Sequence, residues 1–290
     1  MQETLKKLAA TRNRLRKISI VYFCMLVLAV LMLFIGPEIA GMLLSVVLLA
    51  FYFGWLRGQN HRFSDEANKA HILYGLAKPL KEPVFLGNTG LTIKDLDEMA
   101  ILPVRKDDRS LLTRQGFEGR KDGGICRGWE VTFHYQLGYG KKNYAFLIGT
   151  ILTKTWDQTL QGSPDWLFVK KEMVDEDILH QFFIEKGYRE EKTGNDSLDK
   201  KFTSGIRGEG ILPEDILPRL AGLSERLDRI GAVRCTERGA AVFLDHRFYT
   251  ATLKVRDLPT EAQLSDNPLP ERDDIWDFFR FLQRRKSDGE

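Results

Sequence analysis

The sequence predicts an α+β protein: a two-helix transmembrane hairpin followed by a cytosolic domain of antiparallel meander strands with interspersed helices. Three observations carry this reading. Two uncharged apolar runs, Ile18–Ile35 and Ile39–Leu56, lie near the start of the chain. Around Trp129 the apolar pattern changes to a period of two, which is a strand signal. Helical segments then fall between strand segments without a regular βαβ alternation.

Each apolar run has 18 residues, about 27 Å as a helix against the roughly 30 Å of a hydrocarbon core. A soluble helix rarely stays apolar on every face for five turns. A cleaved signal peptide fits poorly, since its apolar region would be shorter and end in small residues, whereas the first run ends in Phe34-Ile35. Gly36-Pro37-Glu38 joins the runs, and Pro37 suits the first turn of a new helix. Both outer ends of the hairpin therefore lie on one face of the membrane.

Charge sets the orientation. Residues 1–17 carry Lys6, Lys7, Arg12, Arg14, Arg16 and Lys17 against Glu3 alone, and Arg57 and Arg62 follow the second run. The hairpin tip carries only Glu38. Positive residues beside the outer ends place the N-terminus and the large domain in the cytoplasm. The whole chain has a net charge of +3, so the part after residue 17 is slightly acidic, which argues against nucleic acid as a partner. The basic segment 1–17 suits anionic lipid headgroups. Cys24, Cys126 and Cys235 show neither a disulfide framework nor a zinc-ligand spacing.

The organisation read along the chain is a basic segment 1–17, a transmembrane hairpin 18–57, a domain 58–257, a linker 258–274 and a C-terminal helix and tail 275–290. Within the domain, 58–80 reads as a juxtamembrane helix. Thr92 caps a short helix that Pro103 stops. Trp129, Val131, Phe133, Tyr135 and Leu137 alternate with polar residues, as do Tyr144, Phe146, Ile148, Thr150 and Leu152, giving an antiparallel hairpin. The stretches SLLTRQGFEGRKDG and DWLFVKK add strands. Asp175–Lys186 is a helix closed by Gly187, Lys201–Arg207 a strand, and Pro213–Arg229 a helix whose Pro218 either kinks its first turn or marks its start. AVRCTERGAAVFLDHRFYTATLKVR adds two or three strands.

The order of LLTRQGFEGRKDGG, AFLIGTILTKTW, LDKKFTSGIRGEGILPEDILPRLAGL and GAAVFLDHRF behind a membrane hairpin resembles the bacterial domain-of-unknown-function family numbered 3137, over roughly residues 60–256. SGIRGEG departs from the more polar turn expected there. The resemblance implies a multi-pass protein of the inner membrane and a membrane partner, LemA-like in kind, and implies no activity, cofactor or catalytic residue.

Several motifs bear on chemistry. GYGKKN, residues 138–143, lies between strands and reads as a turn with solvated lysines, since a phosphate loop must lead into a helix. In GIRGEG, Gly205, Gly208 and Gly210 would let backbone amides approach an anion with Arg207 as counter-charge, although Glu209, Glu214 and Asp215 crowd the same helix start. A flexible connection is the plainer reading. Glu176 and Asp177 with His180 could offer one helical metal half-site, but no second half appears, and capping with an exposed ion pair explains them. No G-x-S-x-G motif occurs, and His134 reads as an exposed strand residue.

The C-terminal helix presents Ile275, Phe278, Phe279 and Leu282 on one face, with Trp276 and Phe281 at its edges and Arg280, Arg284, Arg285 and Lys286 at its end. Such a helix suits a membrane interface or a partner's groove, or packs onto its own domain. Gly41 and Ser45 form a small-x3-small spacing that permits close helix packing, within the chain or in a homo-oligomer. The reading is a non-enzymatic, inner-membrane-anchored protein whose cytosolic domain is a scaffold or regulatory subunit of a membrane complex, without cofactor or metal. The alternative is a membrane-tethered enzyme or sensor for a phosphorylated ligand or lipid headgroup.

Overall fold

A computed structural model describes residues 1–103, 111–136, 144–159, 164–209, 211–248, 255, 257 and 259–284. The chain divides into two compact units, Met1–Leu76 with Thr250–Pro268, and Ala77–Tyr249 with Leu269–Glu290. The fold is α+β, with two long apolar helices ahead of a nine-stranded antiparallel sheet with helices between its strands.

In the first unit, α1 (Gln2–Ile35) is followed by α2 (Glu38–Phe51). α2 continues through a π-helical turn, Tyr52–Leu56, into α3 (Arg57–His71) and a second such turn, Ile72–Leu76. Both are long and apolar enough to cross a membrane. The reversal takes two residues: Gly36 is extended, at φ −127°, and its N–H donates to the Met32 carbonyl at 3.2 Å. At Gly41 the helices approach closely: a Cβ there would stand 2.9 Å from the Leu33 nitrogen and 3.1 Å from the Ala29 oxygen. Ser45 donates to the Gly41 carbonyl at 2.8 Å, so its hydroxyl is satisfied within its own helix. Val21, Phe23, Phe34, Ile39, Met42 and Phe53 remain exposed, an apolar girdle that water solvates poorly.

The basic segment 1–17 is not separate from the first apolar run; it is the beginning of the same helix. Leu8 and Leu15 of α1 are buried against Phe63, Ala67 and Ala70 of α3, with Leu5 and Tyr74 packed alongside. Phe63, Ala67, Ala70 and Tyr74 follow a four-three spacing and Leu8 and Leu15 stand one heptad apart, as in the seam of a left-handed helix pair. The hydroxyls of Thr4 and Tyr74 meet at 2.9 Å. Within the expected linker, Thr260 caps a short helix, α8 (Glu261–Ser265), whose Leu264 closes the same seam.

In the second unit the sheet order is β1-β2-β3-β4-β9-β8-β5-β7-β6, every neighbour antiparallel. The strands are β1 (Lys81–Gly87), β2 (Leu112–Arg120), β3 (Gly124–Gln136), β4 (Tyr144–Trp156), β5 (Asp165–Lys170), β6 (Tyr188–Glu190), β7 (Phe202–Arg207), β8 (Ile230–Thr236) and β9 (Gly239–Leu244). The helices are α4 (Ile93–Met99), α5 (Glu176–Lys186), α6 (Asp196–Lys201), α7 (Ile216–Arg226) and α9 (Arg272–Arg284). Thr92 and Asp95 form a capping box on α4, Asp175 caps α5, and Pro218 sits in the first turn of α7, where proline is tolerated.

The long β3–β4 pairing sets the core. Trp129 faces Ile151, Val131 faces Gly149 and Phe133 faces Leu147, so these residues share one face of the sheet. α4 and α5 cover that face with Leu96, Leu179, Phe182 and Phe183. The alternation in β4 is therefore one residue out of step with the sequence expectation: Thr150 and Leu152 lie on the opposite face, where both are also buried. A sheet covered on both faces loses its polar alternation. The turn 138–143 and the side chains of His134, Tyr135, Tyr144 and Phe146 lie outside the described parts of the structure.

On the opposite face Lys154 is buried and donates to Gln283 of α9 at 2.8 Å and to the Asp122 carbonyl at 3.2 Å. Arg280 of α9 pairs with Asp122 at 2.9 Å. Glu130 is also buried there, and burial pushes its carboxyl up from 4.5 to about 7 against the pull of Arg247 and Arg114.

Two outcomes follow. Gly41→Leu forces the helices apart at Leu33 and lowers the melting temperature of the detergent-solubilised chain, while Ser45→Ala leaves it within a degree or so; equal effects contradict the close approach. For Glu130 the folded pKa lies above the unfolded one, so ionisation destabilises the fold increasingly between about pH 4.5 and 7 and fully above that. Glu130→Gln therefore raises the melting temperature at pH 8, by on the order of several degrees. The gain disappears near pH 4, and a gain of the same size at both pH values refutes the assignment.

Candidate functional site

The covered face of the sheet does not stay apolar along its length. On β3 the series Phe133, Val131, Trp129 ends in Arg127, and on β4 Leu147, Gly149, Ile151 end in Thr153 and Thr155. β9 runs from Phe243 to Ala241 and Gly239, and β8 from Ala232 to Arg234 and Thr236. β5 ends in Asp165 after Leu167, and β7 in Arg207 after Gly205. Side chains two apart share a face, so the register alone makes one end of this face polar on five of these six strands, β9 contributing only Ala241 and Gly239. There it opens into a cleft of about 810 Å³.

Asp165 organises the cleft. Arg234 from β8 meets it through two hydrogen bonds, Nε to Oδ1 at 3.0 Å and Nη2 to Oδ2 at 2.8 Å. The Tyr188 hydroxyl donates to Oδ1 at 3.0 Å. Arg207 reaches Oδ2 with its Nη2 at 2.5 Å. The remaining Arg234 nitrogen, Nη1, donates to the carbonyls of Glu98, at 3.1 Å, and Met99 at the end of α4. Both guanidiniums also stand over the Tyr188 ring, Arg207 at 5.6 Å and Arg234 at 6.0 Å from its centroid.

The two arginines are not equivalent. The Arg234 side chain is 7% exposed and that of Arg207 45%, with Asp165 at 13%. Burial opposes charge on Arg234, yet Asp165 and Tyr188 hold its pKa above the ordinary guanidinium value. Burial pushes the Tyr188 phenol well above its usual range, so it stays protonated as a donor. One carboxylate neutralises one guanidinium, and Arg207 is the second. It leaves the corner with an excess positive charge.

Of the sequence-predicted anion site, Arg207 lines the cleft and Gly208 follows it at φ 90°, with no atom within 4 Å of where a Cβ would stand. Gly205 serves packing: it is paired inside β7, and a Cβ there would lie 2.9 Å from Phe183. Gly210 is outside the described residues. Arg234 was missed because a lone arginine inside the apolar AVRCTE strand carries no motif.

The aromatic face of α9 is used within the unit. Ile275, Trp276, Phe278, Phe279 and Leu282 are buried, and α9 packs on α7. Phe281 is half-buried with the Arg219 guanidinium 5.2 Å above its ring. Arg284 is exposed, and Arg285 and Lys286 lie outside the described residues. His180 pairs with Glu190 of β6 at 2.7 Å, not with Glu176 or Asp177.

Neither a family model nor a curated protein matches the chain. Among solved structures, the crystal structure of the mycobacterial trehalose monomycolate transport factor A, TtfA, is similar at a TM-score of 0.35 and 8% identity, over 74% of this chain and 94% of that one. At that level the likeness transfers neither fold nor function.

The arrangement distinguishes Arg234 from Arg207. Asp165→Asn strips the buried guanidinium of its counter-charge and costs about 3–5 kcal/mol, whereas Arg207→Gln costs under about 1 kcal/mol. Urea unfolding followed by tryptophan fluorescence reads both. Equal losses would show that Arg207, too, is part of the structural core.

Proposed function

We propose that the chain is a membrane-anchored, non-enzymatic protein that works by holding other molecules at the cytoplasmic face of the inner membrane, as a scaffold or regulatory subunit of a membrane complex. The observation that carries this reading is the apolar girdle of α1 and α2, bounded on one side only by cations. Arg14, Arg16 and Lys17 of α1 and Arg57 and Arg62 of α3 are all exposed, and such a band favours the anionic cytoplasmic leaflet. The membrane is then crossed twice, with both outer ends inside. In the cleft, the charged groups of Arg234, Tyr188 and Asp165 are engaged with one another, which suits a binding surface better than a reacting one.

Because α9 supplies core residues, removing 272–290 would unfold the domain, so the partner is sought with the full chain. In-cell crosslinking, followed by purification in mild detergent, is expected to recover a membrane protein in stoichiometric amount, one of the LemA-like kind being the first candidate. Recovery of this chain alone across several detergents and crosslinkers contradicts the scaffold reading.

A further inference from the structure

We propose that the cleft at the open end of the sheet binds an organic anion, and that its carboxylate or phosphate group takes Arg207 over from Asp165. This rests on the reading that the domain works by binding, and it names what the cleft takes.

The argument begins with what Asp165 loses when Arg207 leaves. It keeps the two-pronged bond from Arg234 and the Tyr188 hydroxyl, so both of its oxygens remain paired. No buried charge is stranded, which is the usual large penalty for breaking such a pair. Arg207 is half-exposed, and its departure exchanges one charge-assisted hydrogen bond for another. Gly208 leaves space beside it.

The other charges of the cleft differ in availability. Arg238, in the turn between β8 and β9, lines the cleft and is exposed, with no ion-pair partner among the described residues. Arg127 is held by Glu118 at 2.5 Å, and the Lys154 amine is bonded to Gln283 on the opposite face. Of the carboxylates, Asp95 belongs to the capping box of α4, Glu98 lies 3.8 Å from Lys94, and Asp165 is saturated. Glu209, exposed two residues beyond Arg207, and Glu237, exposed beside Arg238 in the turn between β8 and β9, are the acids placed to oppose an incoming anion. Arg207 and Arg238 are thus the cations free to act. The cleft, at about 810 Å³, has the size of small-molecule sites rather than of a bare phosphate, so the anion carries an organic body.

The test uses the purified full chain in detergent, at constant ionic strength, with phenyl phosphate, benzoate and the neutral benzyl alcohol as probes followed by calorimetry. Saturable binding of at least one of the two anions is expected, with benzyl alcohol inert. Arg207→Gln is expected to weaken it at least tenfold, Glu209→Gln to strengthen it, and Arg226→Gln, on the distant exposed pair with Asp274, to leave it unchanged. The tighter of the two anions identifies the head group. Displacement by nanodiscs of phosphatidylglycerol but not of phosphatidylcholine would assign the anion to a lipid; no displacement would assign it to a soluble compound. Absence of saturable binding by both anions, equal binding of benzyl alcohol, or undiminished binding in Arg207→Gln overturns the proposal. Each result is independent of whether a membrane partner is recovered from cells.

Discussion

The reversal at Gly36-Pro37 is the constraint from which the rest of the first unit follows. Two residues return the chain on itself, and Gly41 lets the second helix lie against Ala29 and Leu33 of the first. α1 and the helix continued by α3 therefore run antiparallel, and the start of α1 lies beside the end of α3. The seam of Leu8 and Leu15 with Phe63, Ala67 and Ala70 carries the helix pair beyond the apolar girdle. Burial there removes from water side chains worth about 1.5–3 kcal/mol each for the larger ones, so the segment that looks merely basic is also structural.

In the second unit the corresponding constraint is register. β3 and β4 pair over their full described lengths, which commits every other residue of each strand to one face. Once Trp129 and Ile151 are in the core, Arg127 and Thr153 must emerge at its end on that same face. The same arithmetic brings Asp165, Arg234 and Arg207 together from three strands distant in sequence. A carboxylate shared by two guanidiniums is stable here because only one of them is buried. The buried one fixes α4 to the sheet through the Glu98 and Met99 carbonyls, and the exposed one gives the cleft a cation that a ligand can reach.

Much of this was legible in the chain. The apolar runs, the Thr92 and Asp175 caps and the Trp129-Val131-Phe133 alternation are local signals, and local physics decides them. The heptad spacing of Leu8, Leu15, Phe63, Ala67 and Ala70 was also present but masked by the charges between. β1 was hidden because Pro83 and two register shifts make it an irregular edge strand, and β6 because it has three residues. The strand order that places β5 between β8 and β7 depends on pairing at long range, and no local pattern encodes it. The aromatic face of α9 shows why amphipathicity names a buried face without naming what buries it. Its partner is the unit's own core. Asp165 and Arg234 left no trace for the same reason: neither is unusual until the sheet puts them 2.8 Å apart.

The central claim is that α1 and α2 form a membrane hairpin with both outer ends in the cytoplasm. The most direct measurement is labelling of single cysteines in intact cells with a membrane-impermeant maleimide, in a chain whose Cys24, Cys126 and Cys235 are replaced by alanine. The account predicts that Glu38→Cys at the tip is labelled from outside, and that Lys192→Cys, on an exposed loop of the second unit, is labelled only after lysis. Labelling of Lys192→Cys in intact cells, or protection of Glu38→Cys until lysis, would contradict it.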